Sequence, residues 1–379
     1  MKSAPLLLLA CVAVNVLSSF ASAAEATERV YFGTYGSGPN EGIFVAELDP
    51  ATGVVSTPRL AAEAVDASFL AFDPGHIALY AVSEVSNLDG KKTGGVVGFT
   101  VDKATGRLTR KSEQPSEGAG PCHLVVCRTG KNVLVANYDG GTAAVLPIRT
   151  PGLLGPASSS VAQHGHGPNA ERQEKAHAHS INVDAHDHFA FVCDLGCDKI
   201  FVYHLNPIAG TLKANNPAFV ELPPGSGPRH FAFHPTGRFA YSANELGSTV
   251  TTFWYDAENG TLSPVQTLST LPSSFKEPNT VAEVVVHPSG KYVYVANRGH
   301  DSIAIFTVDA ATGRLTAAGH ESTQGKTPRN FNIDPSGTFL LAANQDSDSV
   351  VVFRLDPATG KLKATGQKLA IRKPVCIKW

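Results

Sequence analysis

The sequence predicts an all-β fold, a seven-bladed β-propeller, and three observations predict it. One strand-like string recurs seven times: VYFGTY ending at Tyr35, LYAVSE at Glu84, VLVANY at Tyr138, FAFVCDL at Leu195, FAYSANE at Glu245, YVYVANR at Arg298 and FLLAANQ at Gln345. Its spacings are 49, 54, 57, 50, 53 and 47 residues with no helical patterning, as expected when each repeat is one four-stranded blade. A turn motif falls once per repeat in every repeat but the third. The C-terminal KPVCIKW (Lys373–Trp379) also matches GPRHFAF (Gly227–Phe233) in position and pattern.

Each strand and turn follows from these strings. The motif reads LDPATGVV (Leu48–Val55), VDKATGRL (Val101–Leu108), LNPIAGTL (Leu205–Leu212), YDAENGTL (Tyr255–Leu262), VDAATGRL (Val308–Leu315) and LDPATGKL (Leu355–Leu362). Asp or Asn opens each turn and Gly supplies the positive φ near its end. A second set, HPTG (His234–Gly237), HPSG (His287–Gly290) and DPSG (Asp334–Gly337), has Pro and Gly where type I turns favour them. Two hairpins per repeat make four strands. The third repeat carries RTPGLLG (Arg149–Gly155) instead of the first motif. The first repeat lacks the strand that precedes the recurring string elsewhere. The C-terminal strand is therefore expected to complete the first blade as its innermost strand and remove the open edge of the ring.

The N-terminus predicts export. Lys2 precedes a short apolar run that ends at Ala21-Ser22-Ala23, the small-x-small pattern of a signal-peptidase site. Residues 1–23 are read as a signal peptide and residues 24–379 as the propeller domain, delivered to the periplasm or outside the cell. Losing Lys2 takes the net charge from −2 to −3, and no run of like charge marks a nucleic-acid surface. No later apolar stretch is long enough to span a bilayer. Five cysteines remain, Cys122, Cys127, Cys193, Cys197 and Cys376, an odd number that rules out complete internal pairing. Cys193 and Cys197 are close enough in sequence for one local bridge; buried free thiols are the expected state. The residues do not indicate a protein partner.

Antiparallel geometry locates the candidate site. The start of each innermost strand and the end of the strand beside it lie at the same end of the blade. Across seven blades these positions ring one mouth of the channel. From the first blade onward the starts carry Val375, Ser68, Cys122, His179, Arg229, Ala282 and Arg329. The strand ends carry Tyr35, Glu84, Tyr138, Leu195, Glu245, Arg298 and Gln345. Blades four to seven supply His179, Arg229, Glu245, Arg298 and Arg329, so charge gathers on one side of the mouth. His177 and Gln345 are further candidate substrate contacts, and Glu283, which follows a strand start, is either a substrate contact or a buried carboxylate with a structural partner.

Arginines around a concave mouth suit a bidentate anion and can stabilise an oxyanion. A carboxylate beside them can act as base on water, and a histidine can move a proton to a leaving oxygen. Together they fit hydrolysis of a small anionic ester or lactone. The histidine-rich stretch from Gln163 to His188 contains a His177-x-His179 pair, but no acidic or cysteine partner stands at a metal-binding spacing. No metal or cofactor is expected. Residues 165–175 form a long loop before the fourth blade, expected as a lip over the mouth.

The strings AHAHSINV, GPRHFAFHPTGRFAYSANE, AEVVVHPSGKYVYVANRGHDSIAIF and TPRNFNIDPSGTFLLAANQ resemble the seven-bladed lactonase family. That family includes propeller-type 6-phosphogluconolactonases and fungal carboxymuconate-lactonizing cyclases, and the resemblance covers essentially the whole chain after the leader. It implies a site of one histidine, two arginines and a glutamate, which fall on His179, Arg229, Glu245 and Arg298, with Arg329 in TPRN as an anion contact. The implied activity is hydrolysis of a sugar-derived δ-lactone. Glu245 is expected to activate water and His179 to transfer the proton or orient the substrate, with the choice of base between these two left open. The alternatives are the cyclase direction and a secreted propeller that only binds a ligand or protein. An export signal is at odds with a cytoplasmic sugar-phosphate substrate.

Overall fold

The computed structural model describes Met1 and residues 27–379, so the expected leader and its cleavage site lie outside the described residues. Seven antiparallel sheets succeed one another along the chain, one for each predicted repeat. The fifth blade is typical, with strands Pro228–Phe233, Phe239–Asn244, Thr249–Asp256 and Thr261–Ser269 ordered from the channel outward. Among the described residues no helix is long and apolar enough to cross a membrane.

The second strand of most blades is sealed on both faces. Ala78–Ser83, Asn132–Asn137, Phe189–Asp194, Phe239–Asn244 and Phe339–Asn344 are buried at every position. Each has a neighbouring blade on either side, so these segments read as near-continuous apolar runs. Outer strands meet water on one side, and Thr211–Glu221 accordingly mixes exposed and buried positions. The asparagine before the last residue of four of the seven repeated strings belongs to the scaffold. Asn244 donates to Thr249 and Thr251, Asn297 to the Thr270 carbonyl and Asn344 to the Thr323 carbonyl, all with the asparagine fully buried.

The turns stitch blade to blade. Gly360 has φ +70° and lies against the ring of Tyr292 in the preceding blade, where a Cβ would clash, while the Tyr294 hydroxyl donates to the Gly360 carbonyl. His234 and His287 satisfy backbone of their own turns and reach further. Nδ1 of each accepts from a backbone N–H of its own turn, and Nε2 contacts the carbonyl of Gly290 or Gly337 in the following blade.

Pro374–Lys378 pairs with Glu28–Thr34 as the innermost strand of the first blade, as expected, with Phe32 opposite Ile377 and Gly33 opposite Cys376. In the third blade the RTPGLLG departure splits the outermost strand into Leu153–Leu154 and Ser159–Ala162, both paired with Thr142–Thr150. The five described cysteines are free and buried. Cys193 and Cys197 are not bridged; the Cys193 thiol neighbours Ser180 and Ser242, and the Cys197 thiol neighbours Asp194.

Candidate active site

The mouth positions coincide with a break in the strand register. In blades three, four, five and seven one residue of the innermost strand is extra relative to its partner, and those residues are Cys122, His179, Arg229 and Arg329. Val375 stands in the same place in the first blade, and Ala282 with Glu283 in the sixth. A bulge leaves its extra residue out of the ladder and re-aims the side chain. The repeated bulge is thus the local device that turns one side chain per blade towards the mouth.

A cavity of about 390 Å³ opens there, lined by Glu84, Cys122, Tyr138, Arg172, His179, Glu245, Thr280, Arg298 and Arg329. Glu245 holds its centre of charge. Its Oε1 accepts from Arg172 at 2.7 Å, and its Oε2 accepts from Arg229 Nε at 2.9 Å and Arg298 Nη2 at 2.8 Å. Burial would raise this carboxyl, but Arg298, Arg229 and Arg172 overcome it and hold the group down at about 2. Arg298 is pulled down to about 10, since burial and the nearby Arg229 and Arg329 outweigh the attraction of Glu245.

Arg229 is 2% exposed and does not line the cavity. It sits behind Glu245, its Nη1 donating to the Ala282 carbonyl at 3.0 Å. The lip expected over residues 165–175 supplies Arg172, which also donates to the Tyr138 hydroxyl at 3.1 Å. Arg329 is held differently. Its Nη2 donates to the Tyr35 hydroxyl at 3.0 Å, and among the described residues it forms no ion pair with a carboxylate.

His179 lines the cavity with Nε2 3.9 Å from Glu245 Oε2 and Nδ1 3.7 Å from the Cys122 thiol. Burial, then Arg229 and His230, drive its protonation far below the usual histidine range, so the ring is neutral. Cys122 is driven upward by burial and stays a thiol. Below these groups the rings of His179, His230, His123 and Phe69 stack edge-on or tilted, with centroids 5.5, 5.1 and 4.1 Å apart in that order. They close the floor of the cavity.

Three expected contacts lie elsewhere. Glu283 faces a second cavity beneath that floor, with Oε1 2.9 Å from His230 Nδ1 and Oε2 accepting from Asn330, because it follows the mouth position Ala282 as His230 follows Arg229 and Asn330 follows Arg329. His177 does not share the cavity with His179, because the bulge at His179 breaks the strand alternation. Its ring stacks on Tyr138 at 4.4 Å, with Nδ1 on the Tyr138 carbonyl and Nε2 on Glu174. Gln345 opens a 3₁₀ turn, donates to Asp346 and is not part of the cavity wall. Among the described residues no three His, Cys, Asp or Glu side chains converge as a metal site.

Glu84 was present in the ring of strand ends but not among the charged cluster of blades four to seven. It lines the opposite wall, accepting from Ser68 Oγ and from the Tyr35 hydroxyl at 2.9 Å through Oε2. Burial raises its carboxyl above the usual range despite Arg329, Ser68 and Tyr35.

Residues 29–379 match the family described as Lactonase, 7-bladed beta-propeller. A 6-phosphogluconolactonase of Bacillus subtilis is 36% identical over 80% of this chain and 84% of its own length. A 6-phosphogluconolactonase of Formosa agariphila is 34% identical over 78% of this chain and 83% of its own length. Among solved structures, the periplasmic gluconolactonase of Pseudomonas aeruginosa superposes with a TM-score of 0.86 at 34% identity, covering 93% of this chain and 99% of its own.

Proposed function

The chain belongs to the family of seven-bladed β-propeller lactonases, and from that membership we propose that it opens a sugar-derived δ-lactone by attack of water, a carboxylic-ester hydrolysis of the 6-phosphogluconolactonase type. One observation carries the substrate reading. The guanidiniums of Arg172, Arg298 and Arg329 outnumber the carboxylates of Glu84 and Glu245 in the wall of a cavity of sugar-acid size, and among the described residues Arg329 forms no ion pair with a carboxylate. An anionic group on the substrate supplies the missing partner, and a guanidinium binds it through paired N–H donors.

In this reading Arg298 faces the carbonyl oxygen, where it stabilises the charge that develops on the tetrahedral intermediate, and Arg329 faces the anionic group of the substrate. Glu245, with Arg229 behind it, fixes Arg298 and Arg172 in place. The neutral imidazole of His179 contacts a substrate oxygen without adding charge. Residues 1–23 would deliver the enzyme across the cytoplasmic membrane, and the Pseudomonas relative is described as periplasmic. That placement favours a lactone formed outside the cytoplasm.

The test is acid release in a pH-stat from glucono-δ-lactone and from 6-phosphogluconolactone, with wild type and Arg298→Ala compared against spontaneous opening. Acceleration by wild type and its loss in the variant is the expected result. Rates no faster than the uncatalysed background for both lactones, with turnover of a carboxymuconate, would place the chain with the cyclases instead.

A further inference from the structure

We infer that Glu84 is the group that activates the hydrolytic water, with Ser68 and Tyr35 as the residues that position its carboxylate; this rests on the lactone-hydrolysis reading above. Two carboxylates face the cavity, and their hydrogen-bonding states divide the work between them. Glu245 is saturated, since both of its oxygens accept from guanidinium groups and Oε2 accepts from two. A carboxylate held by three cations is a weak base. Glu84 has no guanidinium within ion-pair distance among the described residues. Its Oε2 takes Ser68 and Tyr35, while its Oε1 has only the same Tyr35 hydroxyl at 3.1 Å. That hydroxyl has one proton to share, so a lone pair of Oε1 is left open to the cavity.

The surroundings suit a base. Tyr35 comes from the first blade, Ser68 from Glu84's own, Cys122 from the third, Arg229 from the fifth and Arg329 from the seventh, with Glu245 across the cavity. Arg329 acts through Tyr35, donating to the hydroxyl that donates to Glu84. Cys122 remains a neutral thiol and does not compete for the proton. Burial sets the Glu84 carboxyl above the ordinary range, closer to a working pH than Glu245 at about 2.

The step balances without a co-reactant. Glu84 takes a proton from water as the water oxygen bonds to the lactone carbonyl carbon, and the carbonyl electron pair moves to its oxygen. When the intermediate collapses, the bond from that carbon to the ring oxygen breaks. The ring oxygen leaves with the electron pair and takes the proton back from Glu84. The product is a hydroxy acid, which then ionises, and Glu84 returns to its starting state.

The experiment is the pH dependence of kcat/KM for wild type, Glu84→Gln, Ser68→Ala and Glu245→Gln, each shown to be folded by a cooperative thermal melt above the assay temperature. The inference expects kcat to fall by about 10²–10⁴-fold in Glu84→Gln, with the rise of activity with pH abolished. Ser68→Ala should keep most of its maximal rate and move that rise to higher pH, because a hydrogen bond favouring the ionised carboxylate is gone. Glu245→Gln should keep the rise. A folded Glu84→Gln that retains the wild-type rate and pH profile overturns the assignment of the base while leaving the lactonase reading intact. Loss of the rise in Glu245→Gln alone overturns it in favour of Glu245. A wild-type enzyme that opens no lactone overturns both.

Discussion

Arg229 Nε and Glu245 Oε2 lie 2.9 Å apart, and their side chains are 2% and 3% exposed. The pair joins the start of the fifth blade's innermost strand to the end of the strand beside it, so one hairpin supplies both partners. Removing one partner of a buried pair leaves the other charge uncompensated, which typically costs about 3–5 kcal/mol.

The Glu245→Gln variant is therefore expected to be less stable by about that amount near pH 7, read as a lower urea midpoint. Acid should shrink the difference. The Glu245 carboxyl titrates at about 2 in the folded protein against 4.5 ordinarily, so the folded state holds it ionised where the unfolded chain binds a proton. Its contribution is complete above pH 4.5 and disappears as pH falls towards 2. Wild type and variant should thus converge in stability across that window. A gap that stays constant from pH 6 to pH 3 (an interval chosen to bracket about half the loss) would show that the ion pairs are not its source.

The opposed last letters of FAYSANE and YVYVANR were informative because the Ala-Asn before them is scaffold. Asn244 and Asn297 are buried in side-chain hydrogen bonds, whereas Glu245 and Arg298 meet at 2.8 Å in the cavity wall. Blade number, ring closure and the mouth residues His179, Arg298 and Arg329 were likewise legible, since hairpin geometry fixes which strand ends are neighbours. The bulges were not, because an alternation pattern carries no mark of an unpaired residue. Hence His177 was read as a substrate contact and lies outside the cavity, while Glu283 took the structural role that its sequence position left open. Arg172 escaped for a different reason: it stands in a loop without strand register, and only the fold brings it 2.7 Å from Glu245. Glu84 stood in the ring of strand ends, but it was passed over because its neighbours in blades one to three are mostly uncharged.

Arg329 is predicted to set the preference for anionic substrates. Its Arg329→Met variant should raise KM for a phosphorylated lactone by about 10–100-fold, the worth of a hydrogen bond to a charged group, and affect a neutral lactone far less. Arg329→Lys should recover little, because an ammonium lacks the paired donors. Steady-state kinetics with both lactones decide it, and an equal loss on each would remove Arg329 from anion recognition.

Arg172 separates binding from stability. Its side chain is 39% exposed, so its bridge to Glu245 is screened and contributes about 0–1 kcal/mol to folding. Arg172→Ala should melt within about 3 °C of wild type yet bind substrate several-fold more weakly, since the lip loses its only charge in the cavity wall. A large drop in melting temperature would instead make the lip part of the scaffold.

The closing strand is predicted to support the site as well as the ring. Ile377 is fully buried opposite Phe32, its N–H donates to Asn330 Oδ1 at 2.8 Å, and Asn330 follows Arg329 in the seventh blade. Deleting residues 373–379 exposes the edge of Glu28–Thr34 and unties the strand that carries Arg329. Ile377→Asp buries an unpaired charge in the same place, at a cost of several kcal/mol. Both variants should melt lower and associate on size-exclusion chromatography. In the fraction that remains folded, KM for an anionic lactone should rise, because Arg329 shifts. An unchanged KM in folded Ile377→Asp would mean that the seventh blade positions Arg329 without help from the closing strand.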